Sequence, residues 1–574
     1  VAFAVFAAIP VAVDDSDAGT AAPSYTEGVI LAGYAKDAEL AAGMVNLITG
    51  NKLTTADVAD STVFMAFHFD GDKYNKVEYS RSVDGTVVTD PAASVQEKEN
   101  GTFGENTVYY MFTVQKGIYT AANADCIADD WSAEKTYTLT VKLTGPNGAS
   151  KTISADVKGE TITLYQDVDA KVAGPFVAKN GNDVVIDLND HKLEINNTAT
   201  DKNRTFTAAQ KSSLTIVGED KSKSVLEING TAGGTASAIV AEKGASVTIK
   251  NVTYNTNGAA LLPKSEASHV TIENSDVTAP AYAVATNNLY LGGIGTGVQI
   301  KVIGSTLKSD ETPVCINANG VALTIQDSMI EGKRHAVMVR SGAADIFNST
   351  LISNNETCDE ESWGQGNDVT PATLFVGNKA SSDSYKGTAK VTMTGGSIVA
   401  MSGNAIATTN YDATGKTAVD VSISTTITCG TGEDAVSIGV SDFKYTATAD
   451  KNPVSPLLVK CGSVALSGTI DSLTVVDGDA TVSENLTIVS PGKLVVSSGA
   501  TLTIANGKSL NIDSGATLTV EGSITGSING AGKVIVQNGD ISGAAITGVT
   551  IEDESDDSSK KTITWKDGEI DYYA

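Results

Sequence analysis

Between residues 486 and 536 apolar residues recur at every eighth position. Leu486, Leu494, Leu502, Leu510 and Leu518 form one series, Ile488, Val496, Ile504, Ile512, Val520, Ile528 and Val536 a second, and Gly492, Gly499, Gly507 and Gly515 fall between units. Inside each unit the apolar positions lie two apart, which is the period of a strand and not of a helix. Eight residues make one short strand and a tight turn, so three units make a coil of about 24 residues. A unit this small encloses no core alone and must stack on its neighbours. The chain is therefore expected to form a solenoid rather than one compact globule.

Upstream, a looser repeat agrees with that arithmetic. Units such as VTIKNVT, VTIENSDV, IKVIGSTL, LTIQDSMI and ADIFNSTL share an apolar residue just before a polar turn, at Ile249, Ile272, Val302, Ile325, Ile346, Met393 and Ile423. Their separations are 23, 30, 23, 21, 47 and 30 residues, which a coil of 22–24 with insertions explains in all but the fifth case. A second series is interleaved: SAIVAEKG, GAALLPKS, YAVATNN, PVCINANG, HAVMVRSG, ATLFVGNK, NAIATTNY and DAVSIGVS. Two strand types alternating within one coil predict an all-β parallel helix, in which each strand pairs with its equivalent one coil away.

VVIDLND at 184–190, GATLTI at 499–504 and GATLTV at 515–520 resemble the right-handed parallel β-helix repeats of adhesin-like surface proteins of anaerobic prokaryotes. The resemblance spans about 160–548 and implies the fold and a cell-surface location. It names no ligand.

Four regions follow from these patterns. Residues 1–13, VAFAVFAAIPVAV, are apolar and extended in character, either what is left of a signal peptide or a mature strand. As a strand, with Val1, Phe3, Val5, Phe6, Ile9, Val11 and Val13 as its assembly residues, it is expected to complete the sheet of a neighbouring subunit. Residues 14–160 read as a β-sandwich of immunoglobulin-like type with one short helix over 34–50. Residues 161–548 are the parallel β-helix. Residues 549–574 read as an acidic linker and a capping hairpin around Lys566, Asp567 and Gly568.

Composition excludes several functions. A formal charge of −28, with Arg81, Arg204, Arg334 and Arg340 as the arginines of the chain, argues against nucleic acid as a partner. An acidic surface serves solubility or binds hard cations, so calcium is the one ion left open and no other cofactor is expected. No stretch reaches the roughly 20 apolar residues of a membrane span. Cys126, Cys315, Cys358, Cys429 and Cys461 form no C-x-x-C pair. Cys429 and Cys461 lie one or two coils apart, near enough to stack and bridge. Sequons at Asn196, Asn203, Asn229, Asn251, Asn348, Asn355 and Asn485 fit an exported glycoprotein.

Two segments carry candidate chemistry. TGEDAVSIG at 431–439 is similar to the carboxylate-bearing strand of polygalacturonases, but Glu433 and Ala435 replace an Asp and a Cys of that pattern, and no His follows His335 and no Arg follows Arg340. DAVSIG reads instead as an ordinary rung of the second series. EGKRHAVMVR gathers Glu331, Lys333, Arg334, His335 and Arg340 on one coil, as a polysaccharide lyase would require, though a solvent-facing charged turn explains it as well. The remaining histidines, His68, His191 and His269, are scattered, and DGDKYN at 70–75 reads as a hairpin turn rather than a calcium loop. The insertion 354–386, with Cys358 and Trp363, is the expected contact loop. No catalytic site is expected. The sequence predicts a non-catalytic extracellular subunit of a homopolymeric filament, sheath or surface layer, with a monomeric glycan-binding adhesin and a polysaccharide lyase or hydrolase as rivals.

Overall fold

In the computed structural model, the described residues are 25–49, 62–88, 95–98, 101–114, 132, 134–172, 176–179, 181–197, 204–230, 237–286, 295–355, 371–377, 387–408, 417–430, 435–447, 458–460, 466–471, 473–476, 478–554, 561–566 and 569–571. The chain divides into two units, 1–280 with 298–305, and 281–297 with 306–574.

The first unit opens with two antiparallel sheets. In one, Gly28–Ala35 pairs with Thr62–Gly71, which pairs with Gly104–Val114. In the other, Lys76–Val83 lies between Thr136–Thr144 and the short strands Thr86–Val88 and Val95–Glu97, and Ser150–Lys158 follows on Thr136–Thr144. Alternating residues of both sheets meet in one core, with Val63, Met65, Phe67 and Phe69 against Val77, Tyr79, Leu139, Val141 and Ile153. The 70–75 segment carries the chain from one sheet to the other and does not close a hairpin, because Thr62–Gly71 and Lys76–Val83 do not pair with each other. Its turn is held by Lys73 N donating to the Asp70 carbonyl.

The helix runs Ala38–Thr49, four residues later than predicted, because Tyr34 and Ala35 complete the first strand. Asp37 caps it, its carboxylate accepting from Leu40 N at 2.9 Å. Leu40, Met44, Val45, Leu47 and Ile48 are all buried. The helix packs on strands Val168–Val172 and Phe176–Ala178 of the first coil as well as on the antiparallel sheet. It thereby covers the apolar rungs that begin the solenoid, which would otherwise face water. Thr161–Leu164 belongs to both architectures, antiparallel to Gly28–Ala35 and parallel to Asp183–Asp187.

The coils themselves hold three strands each. Along the first sheet of the first unit, Ile162, Ile186, Ile216, Ile249, Ile272 and Val302 stack in register, and all are essentially inaccessible. Along the second, Leu193, Leu226, Tyr254 and Val277 stack. Along the third, Phe176, Phe206, Ile239 and Leu261 do so. The predicted markers are thus core rungs, and variable insertions fall between strands without disturbing register.

The second unit continues the pattern within itself. Ile325, Ile346, Met393 and Ile423 form its first ladder, and Leu307, Ile330, Leu351, Ile398 and Ile427 its second. The 47-residue step is a single coil, because Leu374–Val376 supplies its third rung, pairing with Val337–Val339 and Asn404–Thr408.

The expectation of one unbroken parallel helix over 161–548 is corrected at about residue 430. Val436–Ala447 returns antiparallel along Thr417–Cys429, and Leu458–Lys460 runs antiparallel to Asn404–Thr408. Within DAVSIG, residues 436–439 are therefore part of an antiparallel arm and not a rung, and the sequence pattern misleads because a half-buried strand reads alike in either direction. Parallel coiling resumes afterwards. Leu494 stacks on Leu518, the predicted 24-residue step, and Leu486 on Leu510. The coil then tightens, since Leu518 pairs with Val534 and Val534 with Ile551. One long strand, Ser523–Gly530, replaces two by pairing with both Thr501–Ile504 and Ser509–Ile512. Lys561–Lys566 then lies antiparallel on Thr550–Asp553 and turns back into Glu569–Asp571.

The corner between first and second sheets has a repeated chemistry. Asn251, Asn274, Asp327 and Asn348 occupy it with φ of 54°, 45°, 49° and 46°, the left-handed region that Asn and Asp tolerate. The next residue is often a buried serine. Ser349 Oγ donates to the Phe347 carbonyl at 2.7 Å and accepts Ser328 N at 3.1 Å from the preceding coil. Ser305 does the same for Ser275. These serines satisfy backbone groups that the sharp bend removes from the sheets.

Candidate functional site

The 331–340 coil collects more ionisable chemistry than any other predicted segment, and the structure splits it in two. Glu331 and Lys333 face water and bind backward across one coil, Glu331 to Lys308 at 2.8 Å and Lys333 to Asp310 at 2.9 Å. Arg334, His335 and Arg340 are 5%, 0% and 3% exposed. The reading of this coil as a wholly solvent-facing charged turn is therefore corrected. The strand Val337–Phe347 has both its faces covered at residues 337–341, so side chains of either parity are buried there.

His335 stands at the start of that strand. Its Nδ1 lies 2.8 Å from the Ala372 carbonyl and 3.3 Å from the Ala372 amide nitrogen, so both backbone groups of that residue hold the ring in place. Nε2 has no hydrogen-bond partner among the described residues. Burial pushes its pKa down to about 3, and the nearby Arg334 and Arg340 add to the effect. The imidazole is neutral at physiological pH. Its ring lies 5.7 Å from that of Phe375.

Phe375 belongs to an apolar column on the same sheet, Ala285, Cys315, Met338, Phe375 and Ala407, each in register with the next. Cys315 is a free thiol within it, its Sγ 3.9 Å from Met338 Sδ. Burial raises the thiol to about 11, so it is neither ionised nor nucleophilic. A base or nucleophile acting on a polysaccharide must come within hydrogen-bond reach of it. Neither His335 nor Cys315 has the exposure to do so.

The other predicted residues disperse. His191 Nδ1 is 3.5 Å from Asp167, and His269 pairs in register with Ser246 and Gln299 at an exposed strand end. Glu433 and Asp434 lie outside the described residues, as do Val1, Phe3, Val5, Phe6, Ile9, Val11, Val13, Cys126, Cys358, Trp363, Cys461 and Asn203. Cys429 is disulfide-bonded, to a partner outside the described residues. Among the described residues no cluster of three or more His, Cys, Asp or Glu is arranged to hold a metal. No described helix is long and apolar enough to cross a membrane.

The sequons separate by what their amides do. Asn196 Nδ2 donates to Asp169, Asn229 to Asn196, Asn251 to the Gly218 carbonyl and Asn355 to the Asn404 carbonyl. Each of these bonds ties one coil to another through the nitrogen that a glycan would occupy. Asn348 and Asn485 are exposed, and Asn485 contributes only its oxygen, accepting Ser509 N at 3.1 Å. The sequence offered no means of making this division, because it depends on which rung each asparagine faces.

Large apolar groups on the outside are few. Among the described residues Phe347 is the exposed aromatic of that class, at 39%, between Gln326 and Thr394 in register. Compared with protein-family models, with curated proteins and with solved structures, the chain has no match.

Proposed function

We propose that this chain is a non-catalytic structural subunit of an extracellular filament, sheath or surface layer, built on a right-handed β-helix and assembled by strand donation. The observation that carries the reading is the investment of its polar groups in coil-to-coil bonding. Buried serines, corner asparagines and lysine–carboxylate pairs such as Lys250–Glu273 and Lys264–Glu242 link successive coils. The ionisable groups of the 331–340 coil are either paired across coils or buried. A stack bonded in this way resists bending and local opening, which suits a load-bearing element more than a site that must move. The disulfide at Cys429 suits an oxidising, exported setting, and Asn348 and Asn485 are the positions for glycans.

Electron micrographs of the purified protein test this reading directly. Regular filaments or sheets are expected, and they should be lost when residues 1–13 are deleted. Monodisperse particles from the full chain would overturn it. Phe347 favours the adhesin as second reading, because an exposed ring flanked by polar side chains can stack on a sugar face. Phe347→Ala should then abolish binding on a glycan array.

A further inference from the structure

The strand Gly104–Val114 pairs with Thr62–Gly71 along one edge, and among the described residues no strand pairs with its other edge. Its sequence does not suit an edge. The sheet to which it belongs is covered on both faces. Val63, Met65, Phe67 and Phe69 enter the core shared with the other sheet, while Phe64 and Ala66, 0% exposed, point the opposite way on a strand against which the Ala38–Thr49 helix packs. In register, Thr107, Tyr109, Met111 and Thr113 stand opposite the first set, and Val108, Tyr110 and Phe112 opposite His68, Ala66 and Phe64. Apolar residues at both parities are the pattern of a strand covered on both faces; what sets this strand apart is that it stands at an edge without the features that protect one.

Proteins blunt free edges with lysine, proline or a bulge. The edge strand Ser150–Lys158 presents Lys151, Asp156 and Lys158 to water. Val436–Ala447 has Lys444 and a register break between Val440 and Phe443. Residues 106–114 have no charge and no proline, and their one irregularity lies at the Gly104 end.

We infer that Gly104–Val114 is an acceptor edge and that residues 1–13 of a second copy dock along it as an added strand. The inference rests on the strand-donation reading and specifies where donation occurs. The occupant fits in length, thirteen residues against eleven, and in pattern, being uncharged with apolar side chains at both parities. Pro10 lacks an N–H, which an outermost strand tolerates where that group would face solvent.

Two copies of the full chain provide the test, one of normal isotopes with p-benzoylphenylalanine in place of Phe6, the other isotopically heavy. Photolysis of the mixed assembly should give light–heavy cross-links mapping to 104–114. Cross-links within single light chains would overturn the inference by showing that the segment folds back on its own sheet. Light–heavy cross-links elsewhere would also overturn it, yet leave strand donation standing with another acceptor. Absence of assembly and of cross-links would remove both. Independently, a chain lacking residues 1–24 should show slowed amide exchange confined to 104–114 when a VAFAVFAAIPVAV peptide with a trilysine tail is added. Unchanged exchange there counts against the acceptor edge.

Discussion

A buried histidine and a buried serine illustrate how single residues set the behaviour of this chain. His335 has a folded pKa near 3 against about 6.5 in an unfolded chain. Between those values the unfolded chain binds a proton that the folded chain refuses, so stability is full above about pH 6.5 and falls as pH drops toward 3. The slope approaches about 1.4 kcal/mol per pH unit for this one group. Urea unfolding followed from pH 7 to 4 should show the loss, and His335→Phe should flatten it. An equally steep curve in the variant would show that other groups dominate. At the corner, Ser349→Ala strands Ser328 N and should cost about 1–3 kcal/mol in the same assay. The exposed pair Lys308–Glu331 should behave differently, a double-mutant cycle giving under about 1 kcal/mol.

At the level of strands, each rung works through its ladder. Ile346 is fully buried between Ile325 and Met393, so Ile346→Ala should destabilise by about 2–5 kcal/mol, measured as a shift of the unfolding midpoint. Thr394→Ala, one residue beyond the facing Met393 and exposed, should stay within about 0.5 kcal/mol. The ladders were legible in the sequence because a buried rung must be apolar whatever its insertion length, and Ile249, Ile272 and Val302 are three successive rungs of one ladder. The antiparallel return of Val436–Ala447 was not legible. Alternation records which face of a strand is buried, and strand direction leaves no trace in it. The depth of Arg334, His335 and Arg340 was missed for a related reason. Charged residues beside a turn ordinarily lie outside, and only the covering of the sheet's outer face puts them inside.

For the whole molecule, charge opposes assembly. A chain of formal charge −28 repels its copies, and raising salt from 0.01 to 0.15 M shortens the screening length from about 30 to 8 Å. Light scattering should show faster polymerisation at the higher salt, and a rate that falls with salt would point to ionic rather than strand-mediated contacts. The sequence by itself determined the class of fold, since periods of eight and of 22–24 residues permit stacking and little else. It also determined the polar character of the corners, because Asn, Asp and Gly alone adopt that bend readily. Only the tertiary structure decided where coiling stops and resumes, that a helix covers the first coil, and which polar side chains face another coil. Those outcomes depend on contacts between residues tens of positions apart, whose energies no local pattern encodes.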